Sequence, residues 1–295
     1  MKPLEISMAS ATVIETAGLS GPRKQITEIR PKKGLFDLDL SAVWRYRELL
    51  YFLIWRELKI RYKQAAIGAG WAIVQPIIAV LIFTAIFGYF ARIPSDGSPY
   101  AVFAFTALLP WTYFSEAFRR GSTGLVDDAD LIRKIYFPRL IIPLAMVVAP
   151  IVDFLLSFAV LLLLLAWYGM MPTQNIVFLP LFLLVAMVLA LAVALWLGPI
   201  NVRFRDIKHT LPFLIQIWMY ASPVVYPVSI VPERWKLLYS LNPMVGVIEG
   251  FRWALLGKAN PDFQAMGLGM VLIILLLLGG IVYFKKMERF FADVI

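Results

Sequence analysis

The chain contains no cysteine, and His209 is its only histidine. Without thiols it can form neither a disulfide bond nor a thiolate metal site. A lone histidine between charged neighbours is typical of a solvated loop, and no cluster of histidines and carboxylates has the spacing of metal ligands. These absences argue against a metalloenzyme and against an enzyme that uses cysteine chemistry.

Two further signatures are missing. The chain has no Gly-x-Ser-x-Gly nucleophile turn. It also has no Gly-x4-Gly-Lys-Ser/Thr phosphate loop, since the glycines and lysine of residues 18–24 have other spacings. The chain is therefore not expected to hydrolyse ATP through a phosphate loop of its own. The missing acid/base cluster also disfavours a membrane-embedded transferase.

Long apolar runs are abundant. The chain is 61% hydrophobic, well above the roughly 45–50% of soluble proteins. A bilayer core of ~30 Å needs ~20 apolar residues of helix, and backbone in hydrocarbon must satisfy its own hydrogen bonds. We therefore predict an all-α integral membrane protein with six transmembrane helices. The six runs are Trp71 to Phe90, Tyr100 to Phe118, Leu140 to Tyr168, Ile176 to Ile200, Thr210 to Val231 and Met266 to Phe284.

Basic residues lie almost entirely on one side of these runs. Only five of the 28 Lys and Arg residues fall in segments on the other side. Because positive charge marks cytoplasmic loops, both termini are predicted to be cytoplasmic. The net charge of +9 then reflects topology and attraction to anionic lipid heads, and no nucleic-acid partner is expected. The five residues of the outer side are Arg92, Arg234, Lys236, Arg252 and Lys258.

Three parts are predicted along the chain. Residues 1–36 form a disordered cytoplasmic arm, residues 37–66 an amphipathic interface helix, and residues 67–295 a six-helix transmembrane domain with a short cytoplasmic tail. The interface helix has a basic arc toward water and an aromatic arc toward lipid, and an ordinary cytosolic helix is the alternative. The basic arc contains four basic residues and one glutamate, namely Arg45, Glu48, Arg56, Lys59 and Lys63, and the opposite arc contains Trp44, Tyr51, Ile54, Trp55, Leu58 and Tyr62.

The segment 119–139 connects the second and third runs. Acidic residues precede two apolar residues and basic residues follow them, an order that complements a helix dipole. We predict a short cytoplasmic helix that exposes Leu131, Ile132 and Tyr136 for docking to a partner. A solvated connector is the alternative.

The outer segment 232–262 holds two stretches that are too short to span the bilayer. They are Glu233 to Ser240 and Pro243 to Leu256, and Leu241-Asn242-Pro243 separates them. We predict a pair of short re-entrant helices, which membranes tolerate only where protein or water covers the backbone. A helical hairpin on the outer surface is the alternative.

Charges within the runs are few. Glu116 lies near the inner end of the second run and Asp153 midway along the third. An ion-coupled carrier is expected to need more carboxylates near mid-membrane. Asp153 is either a coupling site, a hydrogen-bonding partner of a neighbouring helix or subunit, or a group that faces a water-filled path.

Aromatic residues concentrate at the ends of several runs. They form either ordinary interfacial belts or a path whose ring faces stack on sugars. The candidates for such a path are Phe83, Phe87, Tyr89, Trp111, Tyr113, Trp218, Tyr220 and Tyr226.

The residues from Leu53 to Gln64, followed by Gly68, Trp71 and Pro76, resemble the opening of ABC-2 type polysaccharide-export permeases. The resemblance extends over about residues 49–284. Three later motifs support it, namely Arg205-Asp206, Ser222-Pro223 and Leu241-Asn242-Pro243.

The resemblance implies a homodimer with two copies of a separate ATP-binding-cassette ATPase, which would bind ATP and magnesium, so that this chain needs no cofactor. It implies that residues 41–64 are the interface helix, and that Leu241, Asn242 and Pro243 belong to an outer gate. It also implies a lipid-linked polysaccharide as cargo, such as lipopolysaccharide O-antigen, capsule or teichoic acid. The coupling helix that meets the ATPase would contain Asp130, Leu131, Ile132, Arg133, Lys134 and Tyr136.

We therefore predict a permease subunit that moves a lipid-linked polysaccharide, with O-antigen as the favoured cargo, across the inner membrane. Basic residues of the interface helix would hold the pyrophosphate of the lipid carrier, or would only anchor the helix to lipid heads. An ABC-2 exporter of drugs or other small molecules and an ion-coupled flippase of lipid-linked sugars are the alternatives. The pyrophosphate candidates are Arg56, Lys59, Arg61 and Lys63.

Overall fold

Helices dominate the part of the chain that the computed structural model describes, which comprises residues 40–63, 70–204, 206–257, 262–288 and 290–291. No strand occurs within these ranges, so the predicted all-α class is confirmed. The described residues belong to one unit, Leu38–Ile295. The predicted arm, residues 1–36, lies outside the described residues, as do the motif residues Gly68 and Arg205.

Twelve α-helices form in these ranges. A π-helical segment, Thr84–Phe90, extends α3, and short 3-10 helices, Gln174–Phe178 and Val228–Ile230, precede α8 and α10. The α-helices are α1 (Leu40–Arg45), α2 (Arg47–Lys63), α3 (Trp71–Phe83), α4 (Tyr100–Asp127), α5 (Ala129–Lys134), α6 (Ile141–Val148), α7 (Ile151–Trp167), α8 (Leu179–Arg203), α9 (Ile207–Tyr220), α10 (Glu233–Ser240), α11 (Pro243–Leu256) and α12 (Phe263–Glu288).

Helix α4 lies at the centre of the bundle. It packs against α3, α6, α7, α8, α9 and α11, and most of its side chains are buried. Small residues permit the closest approach, since a Cβ on Gly121 would meet the Cβ of Ala194 in α8 at 2.7 Å. The buried Thr106 of α4 is satisfied within the helix itself, since its hydroxyl donates to the Val102 carbonyl at 2.8 Å.

Four helical segments are long and apolar enough to cross a membrane in the described residues. They are Trp71–Phe90, Ile141–Trp167, Gln174–Arg203 and Gln264–Glu288. The second predicted run lies within α4, which is not one of these four segments. The fifth, Thr210 to Val231, is not one continuous helix, because α9 ends at Tyr220 and turns follow. Six crossings therefore stay a prediction.

The third predicted crossing is interrupted. Helix α6 ends at Val148, a turn contains Ala149 and Pro150, and α7 begins at Ile151. Proline has no amide hydrogen and clashes with the preceding turn, so a regular helix does not continue through it. Asp153 therefore lies in the first turn of α7 rather than midway along an unbroken helix.

The two outer helices have the predicted bounds. Helix α10 leaves Leu237 and Leu238 exposed, whereas α11 is buried against α4, α8 and α12. Gly257 ends α11 in the left-handed region with φ of 67°, a conformation that glycine adopts without strain. Protein thus covers the backbone of α11, as a re-entrant helix requires, and its depth in a membrane stays a prediction.

Helix α2 packs against α6 through Leu53, which is completely buried in a cluster that includes Ile141 and Ile142. Its aromatic side chains Tyr51 and Trp55 are exposed on the opposite face. An exposed aromatic face is what a helix at the lipid interface presents, so the interface helix stays a prediction with this arrangement in its favour.

Candidate functional site: an ion cluster, a coupling segment and an outer junction

An ion cluster joins α2, α4, α7 and the residue that precedes α5. It contains equal numbers of arginines and carboxylates, so its formal charges cancel. Sequence reasoning placed these residues in separate features and did not predict that they meet. The members are Arg56, Glu57, Arg61, Glu116, Arg119, Arg120, Asp128 and Asp153.

The first contact in the cluster joins α2 to the start of α5. The Arg56 Nη2 donates to both oxygens of Asp128, at 2.6 and 2.5 Å. Asp128 occupies the N-cap position of α5, yet its side chain makes no capping bond to α5. Burial raises the pKa of the Asp128 carboxyl, and the neighbouring Arg56 offsets this effect in part. The ion pair thus does not fully offset the free-energy cost of burying the ionised Asp128 carboxylate. It is therefore expected to fix the geometry of the two side chains more than to stabilise the fold.

The second contact lies five residues further along α2. The Arg61 Nη2 donates to Glu116 of α4 at 2.8 Å, and the Arg61 guanidinium also pairs with Asp153 of α7. The Tyr62 hydroxyl donates to the same Asp153 carboxylate. Asp153 therefore bonds to a neighbouring helix, which is one of the roles that the sequence left open for it.

Two arginines of α4 complete the cluster. Arg119 donates to Glu116 at 3.0 and 2.9 Å, and Arg120 donates to Glu116 at 2.6 Å and to Glu57 at 2.9 Å. Because Arg120 reaches both helices, Glu57 and Glu116 are held in one network. The network fixes the rotation of α2 relative to α4.

These contacts correct the prediction for the pyrophosphate candidates. Arg56 and Arg61 are half-buried and neutralised by carboxylates, so they are poorly available to an anionic ligand. Lys59 and Lys63 are exposed, and neither has a salt-bridge partner within the described residues. A pyrophosphate role is left with these two lysines as a prediction.

The predicted coupling helix is present as α5, with Asp130, Arg133 and Lys134 exposed. The exposure of its apolar residues differs from the prediction. Leu131 and Ile132 are half-buried and pack against the cluster around Leu53.

The exposed apolar side chains of this segment follow α5. They are Ile135 and Tyr136, of which Tyr136 is 72% exposed. The backbone turns to an extended conformation at Ile135, so the helical periodicity used for the prediction no longer applies there. Docking of this segment to a partner stays a prediction, and the exposed apolar surface for it lies at the C-terminal end of the segment.

The aromatic candidates do not form one surface. Trp111 and Tyr113 are buried in the core, where Trp111 packs on Phe114 and the Tyr113 hydroxyl donates to the Val147 carbonyl at 3.0 Å. They therefore cannot present ring faces to a path in this chain, and this part of the prediction is wrong. Phe83 and Phe87 pair with each other at 5.6 Å between ring centroids.

Exposed rings are found at the ends of helices. Tyr89 and Tyr220 are exposed, and Tyr226 is half-buried with its hydroxyl donating to the Tyr220 carbonyl at 2.9 Å. The hydroxyl of Tyr239, a residue not singled out from the sequence, donates to the Tyr226 hydroxyl at 3.1 Å.

The predicted gate residues form an outer junction between the end of α9 and the start of α11. The Asn242 Oδ1 accepts hydrogen bonds from the Trp218 Nε1 at 2.9 Å and from the Met244 amide at 3.1 Å. Its Nδ2 donates to the Ala221 carbonyl at 3.0 Å and to the Ser222 Oγ at 2.9 Å. The Oδ1 and the Nδ2 of Asn242 thus each take part in two hydrogen bonds, which uses the full hydrogen-bonding capacity of the side-chain amide. Leu241 is exposed and Pro243 begins α11.

Arg252 is a functional candidate that the sequence did not reveal, because it was counted among the charges of the outer side. It is 3% exposed, and its guanidinium lies 3.7 Å from the centroid of the Phe103 ring. It pairs with Glu249 at 2.9 Å and donates to the Val224 carbonyl at 3.3 Å. The i to i+3 spacing of Glu249 and Arg252 on α11 was a signal that could have been read.

These features define a helical membrane protein with several predicted crossings, in which the ion cluster joins α2, α4 and α7 and the outer junction joins α9 and α11. Residues 48–256 match the family model described as ABC-2 type transporter. The chain belongs to the ABC-2 type transporter family.

Curated relatives match nearly their whole length. The chain is 32% identical over 254 residues to the O-antigen export system permease protein RfbA of Myxococcus xanthus, covering 85% of this chain and 97% of the relative. It is 26% identical over 249 residues to a protein of the same name from Klebsiella pneumoniae, covering 84% and 95%. It is 25% identical over 242 residues to the polysialic acid transport protein KpsM of Escherichia coli, covering 80% and 92%. The resemblance inferred from the motifs is confirmed.

Proposed function

We propose that this chain is the permease subunit of an ATP-binding-cassette exporter that moves a lipid-linked polysaccharide across the inner membrane, with O-antigen as the favoured cargo. The observation that carries the proposal is the similarity to a permease named for O-antigen export over 97% of that relative's length. Similarity over nearly the whole length supports a common role for the membrane domain as a whole.

The proposal includes a separate ATPase, present as two copies bound to a homodimer of this chain. ATP and magnesium would bind in that partner. Two exposed apolar side chains, Ile135 and Tyr136, beside the charged residues of α5 offer a surface that a partner can cover. With both termini cytoplasmic, as the distribution of basic residues favours, this segment faces the compartment that contains ATP.

The hydrogen bonds of the outer junction support a role for it as an outer gate that is closed in this conformation. Asn242 holds the ends of α9 and α11 together through the four hydrogen bonds given above. Opening would break these bonds and would need energy from elsewhere, which nucleotide-driven motion of the subunits supplies. The exposed rings of Tyr89 and Tyr220 are candidates for contacts with sugar rings.

An anionic carrier head would meet Lys59 and Lys63 on α2. Both lysines are exposed, and an ammonium group attracts a pyrophosphate as a point charge. The same two residues would also attract anionic lipid heads. Competition between the lipid-linked substrate and vesicles of anionic lipid distinguishes these two roles.

The alternative of an ion-coupled flippase has lost its main support. Asp153 is paired with Arg61 and accepts a hydrogen bond from Tyr62, so it is not an isolated carboxylate available for a transported ion. The small-molecule exporter is tested directly by the identity of the cargo.

The test is a deletion strain that carries this chain together with its ATPase companion on a plasmid. We expect polymer at the cell surface with the active pair, and lipid-linked polymer retained inside the cell when the phosphate-loop lysine of the companion is replaced. Export that persists without the companion, or that collapses with the proton gradient at constant ATP, would contradict the proposal. Purification from native membranes then identifies the bound partner and gives the stoichiometry.

A further inference from the structure

We propose that the ion cluster is a mechanical link that carries movement of the coupling segment into α2 and α7, beside the direct backbone connection to α4, with Arg56 and Arg61 as positioning residues on α2. The inference rests on the proposed function, since it concerns how force from an ATPase would travel. It assigns to two arginines a role that neither the family match nor the names of the relatives contain.

The link begins at α5. The backbone carbonyl of Asp128 accepts hydrogen bonds from the Leu131 and Ile132 amides, at 3.0 and 3.2 Å. Any displacement of α5 is therefore transmitted to Asp128, the residue that directly precedes it. Arg56 moves with Asp128, because its Nη2 donates short charge-assisted hydrogen bonds to both carboxylate oxygens of Asp128. These two bonds leave the pair little freedom to slide.

Helix α2 then carries the displacement to the membrane helices. Arg56 and Arg61 are five residues apart, which corresponds to roughly 7.5 Å along a helix. Arg61 contacts Glu116 of α4 and Asp153 of α7. Leu53 is completely buried between α2 and α6, so one face of α2 packs against the bundle. Arg56 and Arg61 attach α2 to its neighbours at two further points. With these three attachments, we expect α2 to move as a rigid body.

Electrostatics favour a link over a binding site for an anion. The formal charges of the cluster cancel, so it has no excess of positive charge to attract a phosphate. The pairs are also poor stabilising elements, since half-buried ion pairs gain little net free energy. A guanidinium–carboxylate pair does, however, fix the orientation of its two planar groups relative to each other. The arrangement therefore suits a part that must keep its shape while it moves.

The experiment uses the assembled complex in proteoliposomes and measures export and ATP hydrolysis in the same sample. We expect Arg56→Ala and Asp128→Ala each to lower export per ATP about fivefold or more, the range of a typical coupling free energy, while hydrolysis continues. The charge-swapped double variant Arg56→Asp with Asp128→Arg is expected to regain most of the coupling. Glu48→Ala, at an exposed position at the start of α2, is the matched control and should leave the ratio unchanged.

Several outcomes would overturn the proposal. One is an unchanged export per ATP in both alanine variants. Another is a swapped variant that assembles with normal thermal stability and still fails to export. A third is a loss that excess lipid-linked substrate restores, since this behaviour belongs to an anion-binding site. A wild-type complex that does not export on ATP would instead refute the proposed function, and the two failures are thereby distinguished.

The absence of cysteine offers a second approach if an alanine variant does not assemble. Cysteines at positions 56 and 128 can be joined by a short bifunctional thiol reagent. We expect the joined protein to keep its coupling and the unjoined double variant to lose it. Loss of coupling on joining would show that the two positions must separate during transport, which would refute a permanent link.

Discussion

The indole Nε1 of Trp218 donates a hydrogen bond to the Oδ1 of Asn242 at 2.9 Å. The two residues were predicted from the sequence for different roles, one in an aromatic path and the other in an outer gate. Their contact makes them parts of one junction, because the same oxygen also caps α11 through the Met244 amide. A change at either residue therefore affects both the end of α9 and the start of α11.

Replacing Asn242 by alanine removes every hydrogen bond of the junction and leaves the Trp218 Nε1 without a partner. We expect a loss of about 1–3 kcal/mol in the free energy of unfolding, the usual result of an unsatisfied, partly buried donor and a lost cap. Thermal unfolding in detergent measures it. Leu238→Ala, at an exposed apolar position in α10, is the control and should unfold like the wild type. Equal stability of both variants would contradict the role of the junction.

Arg252→Ala is expected to be more damaging than Arg252→Met. Alanine removes the partner of Glu249 and the cation over Phe103 and also leaves a void, for an expected loss of about 3–5 kcal/mol. Methionine keeps much of the side-chain volume, so its effect should be smaller. Denaturant unfolding ranks the two variants. Arg234, an exposed basic residue of the outer side, serves as a control and should tolerate alanine.

Two glycines provide a matched pair for helix packing. A Cβ on Gly250 of α11 would lie 2.4 to 2.6 Å from ring atoms of Phe182 in α8, whereas a Cβ on Gly267 of α12 would meet nothing within 4 Å. Gly250→Ala should therefore destabilise the protein by about 1–3 kcal/mol through overpacking. Gly267→Ala should be neutral or stabilising by about 0.5–1 kcal/mol, because alanine favours helix. A stable Gly250→Ala variant would show that α8 and α11 can separate easily.

A single cysteine at Tyr136 should react rapidly with a soluble maleimide and should cross-link to the ATPase companion. A cysteine at Leu131 should react more slowly, because that side chain is half-buried against the core. Labelling rates measured with and without the companion test both statements. Protection of position 131 but not 136 on assembly would move the docking surface from the end of the coupling segment back to α5.

Tyr220→Ala separates transport from stability among the aromatic candidates. Its ring is exposed and its carbonyl, which accepts from Tyr226, survives the substitution, so we expect slower polymer export with an unchanged melting temperature. Trp111→Ala should instead lower stability by about 3–5 kcal/mol, because it empties a buried site. Normal export by Tyr220→Ala would remove this ring from any sugar path.

The features that could be predicted from the sequence are local. The bounds of α10 and α11 follow from Asn242 and Pro243, which break one helix and cap the next. Such signals act over a few residues, and hydrophobic length acts over a single run. Helix α5 was predicted for the same reason, from the order of acidic and basic residues around it.

The features that could not be predicted depend on contacts between distant residues. Arg56 and Asp128 are 72 positions apart, and nothing in either local sequence indicates that they pair. Arg61 was predicted from the sequence as a candidate for holding pyrophosphate, whereas tertiary packing turns it toward carboxylates of α4 and α7. The burial of Trp111 has the same origin, because periodicity cannot distinguish a lipid-facing ring from one covered by another helix.

The break at Pro150 divides the third predicted crossing into two helices, α6 and α7, whose orientations can change separately. A change in the angle between α6 and α7 need not distort a regular hydrogen-bond ladder, since the ladder of α6 ends with the bond from the Ala149 amide to the Ala145 carbonyl and Pro150 has no amide hydrogen. Arg61 and Tyr62 contact α7 through Asp153, just beyond this bend, while Leu53 belongs to the cluster around Ile141 and Ile142, at the start of α6. A tilt of α2 can therefore change the orientation of α7 while α6 keeps its packing in the bundle.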